Sequence, residues 1–122
     1  CSSKPLAVAV PPDPARLARR GFDPGTLLGA AAARRLGLPF RNDLLASAPR
    51  PRPQRSLSRA ERRRALAGVL FATRHAPAVL AGRDVLLLDD VRTTGSTTAA
   101  CALLLRRAGA ATVRVATLAL VE

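Results

Sequence analysis

Uninterrupted apolar runs alternate along this chain with stretches of helical spacing, and sharp turn signals separate the two patterns. Val85–Leu88 is continuous rather than alternating, the pattern of a strand covered on both faces, as parallel strands tend to be. "LAVAV" over 6–10 predicts a second short buried strand closed by Pro11-Pro12, and "TVRVATLAL" over 112–120 a last one. Residues 39–46 predict a further strand. "DPGTLLGAAAARRLG" carries the punctuation of a helix: Asp23 as N-cap, Pro24 at the first helical position, arginines in the last turn and Gly37 past the end. "SRAE" at 58–61 is a capping box that opens a helix through about Leu66. "TAACALLLRRAGA" predicts a helix from about Thr97 to Ala108, with Gly109 as its C′ residue. Proline-rich "APRPRPQ" cannot pair inside a sheet and predicts a loop. Strand, helix and strand joined by short connections imply parallel pairing with right-handed crossovers. The expected fold is α/β: one domain over 1–122, a small parallel β-sheet flanked by helices, without internal repeats.

The chemistry concentrates in "VLLLDDVRTTGST", residues 85–97. Asp89 and Asp90 follow the buried run directly, and unpaired buried carboxylates are costly. They are expected to emerge at the carboxyl edge of the sheet, where open α/β sheets bind ligands. Thr93, Thr94, Gly95, Ser96 and Thr97 then lead into a helix, which sets backbone N–H groups and four hydroxyls at a helix N-terminus, a phosphate-binding arrangement. Capping alone accounts for Ser96 or Thr97; it does not account for two consecutive aspartates with four hydroxyls and a glycine. A Walker A loop needs GxxxxGK[ST] and a dinucleotide fingerprint needs GxGxxG, and neither is present. The segment reads as a phosphate-ester site with an acidic pair suited to a diol.

Composition narrows the setting. The chain has 122 residues, 48% of them apolar, with three Phe and no Trp or Tyr, a globular rather than disordered composition. No apolar run approaches the roughly 20 residues a bilayer span needs, and no signal-peptide pattern is present. Cys1 and Cys101 offer no disulfide framework, and with the single His75 they give no metal-ligand spacing. Cys101 is expected as a small core residue and His75 as a loop residue, in a reducing, cytoplasmic setting. The net charge of +12 points to anionic partners, although 19 of the 20 basic residues are Arg beside 25 Ala, a pattern of GC-rich coding. Seven arginines (50, 52, 55, 59, 62, 63 and 64) fall within fifteen residues. They read either as a solvated helix face with a proline-rich loop or as a nucleic-acid patch; the interleaved aromatics of stacking platforms are missing.

Residues 85–97 resemble, over all thirteen positions, the phosphoribosyl pyrophosphate (PRPP) motif of type I phosphoribosyltransferases. "RRGFDPGTLLGAAAARRLGLP" and "PQRSLSRAERRRALAGVLF" are similar to two further stretches of the ComF family. Asp23-Pro24 stands where that family usually has Asn-Gln, and Ala65 where it usually has Asn. The resemblance implies a type I phosphoribosyltransferase core in which Asp89 and Asp90 face the ribose 2′- and 3′-hydroxyls and residues Thr93 to Thr97 wrap the 5′-phosphate. It implies Mg²⁺ bound with PRPP rather than held directly by the protein. Val10-Pro11-Pro12 resembles the pyrophosphate loop, with Pro11 and Pro12 as its candidates and an unusual peptide geometry as one option; a plain strand terminator is the other reading. Arg50–Ser58 has the composition of the loop that closes over PRPP, with Arg55 and Arg59 as candidates to meet pyrophosphate. No residue stands out as a general base, and the acceptor is unnamed, because the resemblance implies that specificity sits in a hood segment the chain is expected to lack. The absence of Met at position 1 leads to the expectation that the chain begins after the family's cysteine-rich N-terminal segment.

Two functions from different classes follow. One is a PRPP-binding domain, or one binding a phosphorylated nucleotide, that transfers phosphoribosyl to an acceptor with release of pyrophosphate. The other is a non-catalytic competence adaptor that binds single-stranded DNA, nucleotide or a helicase partner; a regulatory phosphoribosyltransferase-like domain is a variant of it. Oligomers are compatible with both.

Overall fold

The computed structural model describes residues 4–49, 58, 60–61, 69–90 and 95–118. In chain order its elements are β1 (Leu6–Ala9), α1 (Pro14–Arg20), α2 (Pro24–Leu36), β2 (Phe40–Arg41), β3 (Leu45–Ser47), β4 (Leu70–Ala72), α3 (Ala76–Leu80), β5 (Asp84–Asp90), α4 (Gly95–Arg107) and β6 (Thr112–Leu118). The main sheet has the order β2-β1-β5-β6 with every pairing parallel, so the α/β expectation holds.

The continuous apolar runs are explained by what covers them. Leu6, Val8, Val85 and Leu87 point to one face and pack against Cys101, Ala102 and Leu105 of α4, with β3, β4 and α3 filling the margin. Ala7 and Leu88 point to the other face and meet Ala33 of α2. Both central strands are therefore buried on two sides, and each fully buried leucine contributes about 1.5–3 kcal/mol. A Cβ at Gly29 would lie 3.5 Å from the Phe40 ring, 3.6 Å from Ala9 and 3.7 Å from Leu88, so α2 approaches the sheet almost at backbone distance. Cys101 is buried in the core, as expected of a small core residue.

Helix ends follow the local chemistry. Asp23 caps α2 and Gly37 ends it at φ 69°, as read from the sequence. Gly109 closes α4 at φ 119°. The Ser58–Glu61 capping box is formed, with the Glu61 N–H donating to Ser58 Oγ at 3.1 Å; the continuation of that helix lies outside the described residues. Two short helices were not anticipated. α1 carries the same signature as α2, with Asp13 as cap, Pro14 next and Gly21 at φ 78° beyond paired arginines, but spans only seven residues. α3 has five residues. Among the described residues no helix is long and apolar enough to cross a membrane.

The single strand expected over 39–46 is instead two. β2 joins the main sheet, the chain turns at 42–44, and β3 pairs antiparallel with β4, Leu45 opposite Ala72. The turn is tied by Asp43. Arg41 Nε donates to Asp43 Oδ1 at 2.8 Å and Arg41 Nη2 to Oδ2 at 2.7 Å. His75, a turn residue as expected, places Nε2 3.0 Å from Oδ2. Thr73 Oγ1 donates to the Asp43 carbonyl at 2.7 Å. The hydrogen bonds from Arg41 hold the Asp43 carboxyl at about 2, well below its ordinary value. A depressed carboxyl stabilises the fold above its unfolded value, near pH 4, and that contribution is lost as pH falls toward 2. Asp43→Asn should therefore flatten the acid limb of a urea-unfolding series between pH 2 and 6, by a small amount because the ion pair is exposed.

Candidate functional site

The ends of β1 and β5 are neighbours. Ala9 stands opposite Leu88, and the Val10 N–H donates to the Leu88 carbonyl at 3.2 Å. Val10-Pro11-Pro12 thus leaves the sheet beside Asp89-Asp90, the two candidate segments meeting at one edge. Among the described residues every peptide bond is trans, so the unusual geometry entertained for the prolines is not present, and Pro11 is buried.

The two aspartates do not point the same way. Both belong to β5, and side chains alternate along a strand. Asp89 shares the face of Val85 and Leu87 and is only 5% exposed, so it does not emerge into solvent as expected. The Thr98 hydroxyl of α4 donates to its Oδ2, and the N-terminal turn of that helix lies on the same face. A hydroxyl donor and the positive end of a helix are what allow a carboxylate to be buried there. Asp90 shares the opposite face with Leu88 and is half-buried. There it approaches the start of α2: a Cβ at Gly25 would lie 3.8 Å from the Asp90 Cβ and 3.7 Å from Asp23 Oδ2. One glycine therefore separates the two carboxyl-bearing side chains.

Gly95, Ser96 and Thr97 form the first residues of α4, and Thr97 is 3% exposed. Their N–H groups open the helix at the carboxyl edge, where the dipole favours anions. Thr93, Thr94, Arg55 and Arg59 lie outside the described residues. The structure adds three participants: Thr98 behind Asp89, Gly25 beside Asp90, and Asp23 at the head of α2. Asp23 had a local signal, its N-cap position: its Oδ2 accepts from the Thr26 N–H at 2.9 Å and from the Thr26 hydroxyl. Thr98 had none beyond its place one residue past the motif.

A parallel sheet covered by helices on both faces defines an α/β domain, and the acids, a helix N-terminus and a proline turn gather at its carboxyl edge, the edge at which open α/β sheets take ligands. The chain belongs to the phosphoribosyl transferase domain family, which matches residues 23–121. Among solved structures the chain is similar to one described as the allosteric regulatory enzyme of purine biosynthesis, with a TM-score of 0.54 and 23% identity. That likeness covers 95% of this chain and 22% of the larger protein, and it shows the fold, which matches a type I phosphoribosyltransferase core. No curated protein matches the chain.

Proposed function

We propose that the carboxyl edge binds PRPP and that the domain transfers its phosphoribosyl group to an acceptor, with release of pyrophosphate. The observation that carries this reading is the run of residues 85–97, which includes nearly all of β5 and the first turn of α4, within the matched family stretch and leading to the edge where such sheets take ligands. In this reading Asp90 and Asp89 accept from the ribose 2′- and 3′-hydroxyls, Asp90 directly and Asp89 once the Thr98 hydroxyl yields. Thr93, Thr94, Gly95, Ser96 and Thr97 hold the 5′-phosphate through N–H and hydroxyl donors. Pro11 and Pro12 shape the pyrophosphate turn, and Arg55 and Arg59 are candidates to meet pyrophosphate. The acceptor attacks ribose C1 as the C1–O bond to pyrophosphate breaks with its electron pair, and the protein's share is positioning and charge. Mg²⁺ bound with PRPP would neutralise charge on the leaving group. The half-buried Asp90 carboxylate is an oxygen donor of the kind Mg²⁺ accepts, while no group of three or more His, Cys, Asp or Glu side chains clusters among the described residues. Residues 1–122 act here as one domain, of ComF type by its three motif stretches, in a cytoplasmic setting.

A second reading, the adaptor for single-stranded DNA or a helicase, is favoured by one observation. Arg34, Arg35, Arg106 and Arg107 are exposed in the last turns of α2 and α4 and join no ion pair among the described residues. Calorimetry with PRPP, with and without Mg²⁺, beside titration of an oligothymidylate at several salt concentrations separates the two. PRPP heat that requires Mg²⁺ is the expected result. DNA binding that falls steeply with salt, with no PRPP heat, would replace the first reading by the second.

A further inference from the structure

Strand β6 stands at an edge of the main sheet, and among the described residues nothing pairs with its outer side. Its register with β5 runs without a slip from Asp84 opposite Thr112 to Asp90 opposite Leu118, so the strand carries no bulge. The Ala111 N–H donates to the Arg83 carbonyl at 2.7 Å, toward β5. By alternation the backbone groups of Arg114 and Ala116 point away from the sheet, with those of Thr112 and Leu118 at either end. Natural edge strands are blunted by shortness, lysine, proline or a bulge. β6 is seven residues of TVRVATL with none of these, and Arg114 is its one charged residue.

The side chains along this edge alternate in character. Val113 and Val115 stand opposite Val85 and Leu87 on the α4 face, and Val115 is 47% exposed. Arg114 stands opposite Leu86 on the other face, exposed and in no ion pair among the described residues. Asp84, on the neighbouring strand, is engaged by the Thr112 hydroxyl, which donates to its Oδ1 at 2.7 Å. The exposed Arg106 and Arg107 end the helix that leads into β6 and add to the positive charge at its start.

We propose that β6 accepts an extended acidic segment of a partner protein as a fifth strand of the main sheet. The outward N–H and C=O groups would supply main-chain hydrogen bonds, and the alternating side chains would supply specificity. A strand laid along β6 sets one side chain beside Arg114 and its two neighbours along Val113 and Val115. The pattern recognised is therefore apolar, acidic, apolar. Charge decides against a second copy of this chain. Each copy carries a net charge of +12, and β6 has no acidic residue to set beside the Arg114 of its twin. The surface stands apart from the PRPP reading, because none of its residues takes part in that site.

Three short blocked peptides, followed by amide chemical shifts of the intact chain, test it. Thr-Val-Glu-Val-Thr has the proposed pattern, Thr-Val-Lys-Val-Thr reverses its charge, and Thr-Pro-Glu-Pro-Thr keeps the charge but lacks two of the N–H groups a strand uses. The first should shift residues 112–118 and bind about tenfold more tightly than either control, since one control loses the matched charge and the other two main-chain hydrogen bonds. Arg114→Gln, at an exposed position, should reduce the preference for glutamate over lysine to about threefold or less and leave the preference over the proline peptide in place. Equal binding of the glutamate and proline peptides would reduce the effect to bulk charge attraction and overturn the proposal. A ratio unmoved by Arg114→Gln, shifts mapping away from residues 112–118, or no binding of any peptide would overturn it as well. So would a concentration-dependent dimer in sedimentation whose shifts map to β6, which would give the edge to a second copy.

Discussion

Asp89→Asn combined with Asp90→Asn is expected to weaken Mg²⁺-dependent PRPP binding about a hundredfold or more, while inorganic phosphate changes by about threefold or less. Only PRPP offers a ribose diol, and hydrogen bonds to charged acceptors are worth about 1.5–3 kcal/mol each. The asymmetry between the ligands is the informative quantity, because removing two negative charges near an anion site should, if anything, strengthen phosphate binding by Coulomb attraction. The geometry divides the effect. Asp90, half-buried beside Gly25, should account for most of it, and Asp89→Asn alone for less, since that carboxylate is enclosed and engaged by Thr98. Calorimetry of both single variants and the double variant checks this. Equal losses for PRPP and phosphate would make the pair structural, and a rise in PRPP affinity would end its assigned role.

Thr98→Val is expected to destabilise the fold by about 1–3 kcal/mol, the cost of leaving a buried polar group without its partner. The substitution keeps the shape of the side chain and deletes only the hydroxyl that donates to Asp89, a carboxylate 5% exposed. For a domain of this size that loss corresponds to a fall in Tm of about 4 °C per kcal/mol. Thr98→Ser, which restores the hydroxyl, should recover most of it. Urea unfolding of the three proteins measures the difference, and a Thr98→Val protein as stable as the parent would show that Asp89 needs no donor.

Much of the architecture was legible because its signals are local. The unbroken run at 85–88 announced a strand covered on both faces, and Leu87 and Leu88 do pack against α4 and α2 respectively. Asp23-Pro24 and Gly37 bounded α2 because capping is chemistry between residues a few positions apart. Asp13-Pro14 and Gly21 carry the same punctuation around α1, but a seven-residue helix has no periodic apolar face to announce it. The strand expected over 39–46 broke in two because Asp43 bonds to Arg41 nearby and to His75 thirty-two residues away, a partner no local pattern discloses.

The sequence by itself determined the class of fold and the ends of its principal helices, since periodicity and capping are short-range properties. Tertiary structure alone decided which way the chemistry faces. Adjacent residues in a strand point to opposite sides, so Asp89 and Asp90 parted company: one was drawn into the core under Thr98, the other left beside Gly25. Packing of α2 against β1 likewise brought the turn holding Phe22 and Asp23 beside Asn42 and the exit of β1. A pocket is a relation between distant segments, and only the folded chain brings them within contact distance.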